Sequence, residues 1–326
     1  MPANLTPDFH NADKAFKEAK TDEERLAALE EMLRTIPKHK GTEKMQADIK
    51  RRISKIKLIQ ESKSGKKGFS YHVDKEGAGQ VALVGGPNTG KSQLLKSLTK
   101  AEPMIAPYPF TTSIPMPGMM AFEDVKIQLI DLPPFSPEHT ETWLPEVVRA
   151  ANAILFVVSL TGMPEQDIEF VTEKLEQYKI RMVKEVDPSV PFNISQKRTI
   201  LLCNMLDGPS AMDNFEVLEE LYGSQFDMLA VSALDGTNLD VLRRAVFDLL
   251  RIIRIYPKEP GKQVDRSTPP YTIPRDSTLI DFAGAVHKDF LNLKYARLWG
   301  EGAKFDGQTI NRDQILYDGN VVELHL

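Results

Sequence analysis

Residues 81–84, Val-Ala-Leu-Val, run straight into Gly85-Gly86-Pro87-Asn88-Thr89-Gly90-Lys91-Ser92, and an amphipathic stretch over 92–98 runs straight out. The octapeptide fits G-x-x-x-x-G-K-[ST], and a strand before it with a helix behind it is the context that gives the pattern its mechanism. Glycines let the backbone curl until its N–H groups converge on one point. The helix N-terminus adds its dipole there. Such a turn holds nucleotide phosphates: Lys91 would reach the β- and γ-phosphates, and the Ser92 hydroxyl would ligate Mg²⁺.

The downstream pattern agrees. Short apolar runs fall at 81–84, 125–130, 153–160, 199–203 and 228–231, with amphipathic stretches at 92–98, 166–183 and 239–253. This alternation predicts an α/β P-loop NTPase, a doubly wound, mostly parallel sheet, over residues 68–256. Residues 1–67 read as a helical hairpin. Thr21-Asp22-Glu23-Glu24 has the form of a capping box, and Leu26, Leu29, Leu33 and Ile36 follow at helical spacing. Pro37 and Gly41 break the pattern, and Met45, Ile49, Ile53 and Ile56 form a second stripe. Residues 34–67 hold 12 Lys/Arg against 3 Asp/Glu, while the whole chain has a net charge of −5. That excess suits either a solvated helix face or contact with a phosphate backbone. Residues 257–269 read as a linker. Residues 270–326 read as a small α+β domain, with a strand at 271–273, a helix at 279–290 and strands at 295–299 and 321–326.

Other function classes are excluded by composition. The single cysteine, Cys203, lies in an apolar run. It can build neither a disulfide framework nor a cysteine metal site, and it suits a reducing compartment. The N-terminus is polar and charged, unlike a secretory signal. No apolar run approaches the roughly 20 residues of a membrane helix. A cytoplasmic protein with no membrane part is the expectation.

Further site residues follow from position. Asp131 ends the apolar run 127–130, where a carboxylate can hold the Mg²⁺ shell. Between the P-loop and Asp131 lies Tyr108-Pro109-Phe110-Thr111-Thr112, whose threonine hydroxyls are candidates to cap the ion when a γ-phosphate is present. Asn204-Met205-Leu206-Asp207 follows the apolar run at 199–203. The Asp207 carboxylate can accept from both N1–H and the N2 amino group of guanine, whereas adenine offers an acceptor at N1 and is repelled. After the run at 228–231, Ser232-Ala233-Leu234 can bring a backbone N–H to guanine O6.

With these elements in order, the chain resembles the Obg branch of translation-associated GTPases, above all the developmentally regulated GTP-binding (DRG) proteins. Residues 1–6 and 34–44 are similar to that group's helical N-terminus. Residues 85–92, 108–112, 131–134, 204–207 and 232–234 stand where its G1 to G5 motifs fall. The C-terminal unit, through 295–300 and 321–324, resembles a TGS domain, a ubiquitin-like β-grasp. The resemblance implies GTP/GDP and Mg²⁺ as ligands, and Thr112 rather than Thr111 as switch residue and metal ligand with Ser92 and Asp131. It also implies GTP-regulated binding to the ribosome or RNA, with a protein regulator as a further partner. No catalytic group is assigned beyond Lys91 and Thr112 in phosphate and switch chemistry. Asn88 stands where relatives bind K⁺ beside the phosphates.

The chain departs from the family pattern four times. G3 normally reads D-x-x-G, but here Pro134 replaces the glycine whose N–H contacts the γ-phosphate, and proline has no N–H. G4 normally reads N-K-x-D, but position 205 is Met. Phe135 stands where Ras-like enzymes carry a water-orienting glutamine, which implies slow hydrolysis. Asn204 follows Asp131 by only 73 positions, too few for the inserted domain of eukaryotic DRG proteins. Two rivals follow: a degenerate adaptor with little turnover, and an ATPase like the related YchF proteins, which Asp207 argues against.

Overall fold

The computed structural model describes residues 7–18, 22–36, 42, 45, 46, 49, 53, 73–99, 114–137 and 140–326. The chain forms two compact units, Met1–Ser70 and Tyr71–Leu326. In the first, helix α1 (Pro7–Glu18) pairs with α2 (Asp22–Thr35) around Phe9, Ala12, Leu29, Met32, Ile36 and Ile49. Helix α1 precedes the first helix read from the sequence, so the hairpin that the structure describes is α1–α2. Of the second stripe, Met45, Ile49 and Ile53 are helical, with Ile49 buried in this core and Ile53 packed against it, while Ile56 lies outside the described residues.

In the second unit, β1 (Gln80–Val84), β2 (Met116–Phe122), β3 (Val125–Asp131), β4 (Ala153–Ser159), β5 (Ile180–Val183), β6 (Ser195–Asn204) and β7 (Asp227–Ala230) form one sheet. Its order is β2-β3-β1-β4-β6-β5, with β7 also on β6. Every pair is parallel except β2–β3. All five β1 positions are buried, because both faces are covered. Val81 and Leu83 pack with helices α3 (Lys91–Leu98) and α7 (Leu239–Leu249). Ala82 and Val84 pack with α4 (Leu144–Ala150), α5 (Pro164–Gln177) and α6 (Ala211–Tyr222). This is the doubly wound arrangement, and it brings the C-terminal ends of β1, β3 and β6 to one edge, where such sheets bind ligands.

Two stretches read as single helices are helix followed by strand. The helix within 166–183 ends at Gln177; Lys179 turns the chain at φ 59°, and β5 begins. The helix within 239–253 ends at Leu249; Arg251 turns at φ 52°, and β8 (Ile252–Pro257) begins.

Strand β8 moves the expected boundary at residue 256. It belongs to the second sheet, of order β11-β10-β12-β8-β9, with β9 (Tyr271–Pro274), β10 (Tyr295–Trp299), β11 (Gln308–Ile310) and β12 (Asn320–His325). β8 runs parallel to β12 and antiparallel to β9. Ile253 and Ile255 pack with Leu279 and Phe282 of helix α8 (Leu279–Val286), which Thr278 and Asp281 start as a capping box. The helix expected at 279–290 stops at Val286 and continues as a 3₁₀ turn, Lys288–Asn292. The stretch read as a linker is in contact with the sheet: Lys258 pairs with Glu323, and Arg266 lies 5.2 Å over the Tyr256 ring.

Candidate nucleotide-binding site

Three loops meet at the sheet edge. In the P-loop, Gly85 (φ 159°), Asn88 (φ 58°) and Gly90 (φ 85°) curl the chain between β1 and α3. A Cβ on Gly90 would stand 2.3 Å from Asn204 Nδ2, so only glycine fits. Lys91 is buried, and its Nζ donates to Gly86 O (2.7 Å) and Gly85 O (3.2 Å). Burial lowers its pKa to about 8, against the raising fields of Asp131 and Asp167. Its ammonium thus rests on the carbonyls of the loop it serves.

Ser92 Oγ donates to Asp131 Oδ2 at 2.5 Å. Asp131 is buried and its Oδ1 has no hydrogen-bond partner, one of two such side-chain atoms among the described residues. Burial raises the Asp131 pKa, with the Ser92 bond and the Lys91 charge opposing. A buried carboxylate oxygen left without a partner is costly unless a cation or its water shell completes it. These residues fit a hard divalent ion, with Ser92 as direct ligand and Asp131 behind it. When bound, Mg²⁺ would neutralise charge on the β- and γ-phosphates. The P-loop, Asp131, Leu132, Pro133, Pro134 and Met116 line a cavity of about 440 Å³. Thr111 and Thr112 lie outside the described residues.

Asn204 ends β6 and ties the loops together. Its Nδ2 donates to Thr89 O (2.9 Å), and its Oδ1 accepts from Ala233 N (3.1 Å). This arrangement ties the loop of Ser232-Ala233-Leu234 to the end of β6. Ser232 is buried and donates to Asp207 Oδ1 (2.6 Å), which fixes the carboxylate expected to read guanine. Leu234 is exposed. Met205 adopts φ 67°, and its sulfur accepts from Ser159 Oγ (3.1 Å). Its methyl group also approaches Gly90. A thioether therefore bridges the G4 loop to the P-loop where the family pattern has a lysine.

Two features escaped the sequence. Asp167, on the first turn of α5, faces the P-loop so closely that a Cβ on Gly86 would meet its carboxylate at 3.0 Å. No local motif marks it; only the packing of α5 brings it there. Phe135 is 1% exposed in the main core, and its N–H donates to Gly85 O at 3.2 Å. The segment after Asp131 is therefore anchored on both sides of Pro133-Pro134.

Two known family models match the chain. Residues 80–204 fit the family model described as 50S ribosome-binding GTPase, and residues 253–326 fit the TGS domain. The second match begins inside β8, as the sheet pairing requires. An uncharacterized GTP-binding protein of Methanocaldococcus jannaschii is 30% identical, covering 93% of this chain and 92% of the relative. The chain belongs to the DRG branch of Obg-type GTP-binding proteins. Developmentally-regulated GTP-binding protein 1 of Xenopus laevis is 26% identical over 92% of this chain and 98% of its own length. The alignment to the archaeal relative spans 362 positions, more than the 326 residues here, so that relative carries stretches without a counterpart. The Schizosaccharomyces pombe YchF GTPase shares the fold, with a TM-score of 0.54 over 77% of this chain and 98% of its own at 14% identity.

Proposed function

We propose that this DRG-type GTPase hydrolyses GTP slowly and uses the nucleotide to regulate binding to the ribosome or to RNA in the cytoplasm. Slow turnover rests on Phe135. A side chain 1% exposed in the core, with its N–H on Gly85 O, has nothing with which to orient an attacking water. Contact with RNA is supported by the TGS sheet and by the basic composition of residues 34–67, most of which lie outside the described residues. The matched family's description as 50S ribosome-binding points the same way. No helix among the described residues is long and apolar enough to cross a membrane.

Guanine selection rests on Asp207, held by Ser232. Mg²⁺ rests on Ser92, Asp131 and Thr112. Asn88, within the P-loop, would hold K⁺ beside the phosphates. The test is phosphate release from GTP and ATP in K⁺ and in Na⁺. We expect GTP turnover at or below about 10⁻² s⁻¹, faster in K⁺, with ATP failing to compete. Equal displacement by ATP sinks guanine selection, and equal rates in the two salts sink the K⁺ role.

A degenerate adaptor is the second reading. Pro134 removes the donor that senses the γ-phosphate, and Met205 removes the G4 lysine. Failure to bind GTP or GDP decides for it.

A further inference from the structure

The second sheet has one face under α8 and one face turned outward. Three of its aromatic residues, Tyr271, Tyr295 and Trp299, are candidates to meet a ligand, and their surroundings separate them. Tyr271 stands edge-on to Phe282, with ring centres 5.8 Å apart. Trp299 lies beneath the Lys258 ammonium, 4.9 Å from its ring centre. Tyr295 is 37% exposed and directly opposite His325 across the β10–β12 pair. The two rings stack at 4.2 Å with an interplanar angle of 15°. Arg297, two residues along the same face, holds its guanidinium 6.0 Å from the Tyr295 ring centre.

The exposed charge of β10 is positive. Arg297 is exposed beside the stack, and Lys294 is exposed at the residue before the strand. The carboxylate in contact with the stack, Glu323, is buried and already bonded to Lys258 and to His325 Nε2 (2.6 Å). The patch therefore combines a displayed ring, a second ring that holds it flat, and a neighbouring guanidinium, and the carboxylate that touches it is buried and engaged. A tyrosine in a dry protein–protein contact has no need of such an arrangement. An unpaired base does: every base has a π-face to stack, and a phosphate on either side of it to neutralise.

We propose that Tyr295, braced by His325 and flanked by Arg297, is a stacking platform for an unpaired RNA base. The proposal rests on the RNA reading above and names the site of contact. It requires single-stranded RNA and gives no role to Tyr271 or Trp299 in stacking.

The test is fluorescence anisotropy of a short labelled oligouridine on the full chain, for wild type, Tyr295→Ala, Tyr295→Phe and Arg297→Glu. Tyr295→Ala should weaken binding about tenfold, within the range that loss of one stacked base gives. Tyr295→Phe keeps the ring and should bind within about twofold of wild type. Arg297→Glu should weaken binding and flatten its salt dependence. Unchanged thermal unfolding of each variant shows that the fold is intact. If wild type binds and Tyr295→Ala binds equally well, the platform is wrong while the RNA reading stands. If wild type binds no oligouridine and no duplex RNA at low salt, the RNA reading itself fails. If oligoglutamate displaces the RNA and the alanine and phenylalanine variants behave alike, the patch is a cation cluster for acidic protein, and the proposal is overturned.

Discussion

Arg254 joins the two sheets of the second unit beside Tyr256, and replacing it by alanine should destabilise that unit by about 2 kcal/mol. The side chain is 10% exposed. Its guanidinium grips Asp318 twice, Nε to Oδ1 at 3.1 Å and Nη2 to Oδ2 at 2.7 Å, and reaches Asp124 Oδ1 at 2.9 Å. It also pairs with Glu123, and it lies 5.0 Å over the Phe247 ring. Removing one partner of a fully buried pair costs about 3–5 kcal/mol, because charge is left behind uncompensated. Here the carboxylates left behind are 52%, 34% and 36% exposed, so water repays roughly half of that. Arg254→Met keeps contact with Phe247 and should recover only a few tenths of a kcal/mol. Acid supplies the check. Burial pushes Asp124 and Asp318 up, but bonds from Tyr256 and Arg254 to the first, and from Arg254 to the second, outweigh it and hold both below the usual carboxylate range. A depressed folded pKa stabilises above the unfolded value of about 3.9 and loses that contribution as pH falls through the folded one. The gap between wild type and variant, read from urea unfolding, should therefore be full at neutral pH and close below about pH 4. A cost under about 0.5 kcal/mol, or a gap that persists in acid, would refute an electrostatic clamp.

Three further outcomes concern the nucleotide site. Gly90→Ala forces φ 85° on a residue with a Cβ and drives it into Asn204; nucleotide affinity should fall by at least about thirtyfold, measured by titration of fluorescent GDP. Asp207→Asn should lower GTP affinity by at least about a hundredfold without a gain for ATP, because a site built for two guanine donors loses their acceptor. Pro134→Gly restores an N–H at the third position after Asp131 and should raise the preference for GTP over GDP about tenfold. A wild type that already prefers GTP by that margin would show that another group senses the γ-phosphate.

What was legible in the sequence was local, and what was missed was paired at a distance. The P-loop declares itself because its glycines, its lysine and its flanking strand and helix are contiguous. Asp131 and Asp207 declare themselves through the apolar strands that deliver them. Strand β2 does not: Pro117 and Gly118 weaken its pattern, and its two-residue turn is Glu123-Asp124, not the Asn-Gly that marks such hairpins. Glu123 takes φ 50° there. Gly118 is needed because a Cβ would meet Leu95 at 2.9 Å, so it is helix packing that sets the residue. Strand β8 reads as part of the preceding helix, because Leu249-Leu250 and Ile252-Ile253 flank a single Arg251 with no glycine or proline to mark the turn. Its partner β12 lies more than sixty residues on. Asp167 and the burial of Phe135 are likewise properties of packing.

The same geometry bears on whether the TGS sheet can sense the nucleotide. Strand β3 carries Asp131 at one end, and the Glu123–Asp124 turn precedes its other end, about 20 Å away at 3.3 Å per residue. Arg254 holds the turn, and the Ser92 hydroxyl holds Asp131. A strand transmits movement along its axis only if its register can slip. β3 is hydrogen-bonded on both sides, to β2 over seven pairs and to β1 from Gln80↔Gln128 to Leu83↔Asp131. A slip of one residue would turn Ile127 and Leu129 out of one core and Ile130 out of the other. The strand is therefore a rigid anchor for the TGS sheet. Arg254→Ala should change stability, yet leave GDP affinity within about twofold of wild type. A tenfold change in affinity would mean that the turn and Asp131 are coupled after all, and that the clamp belongs to the switch.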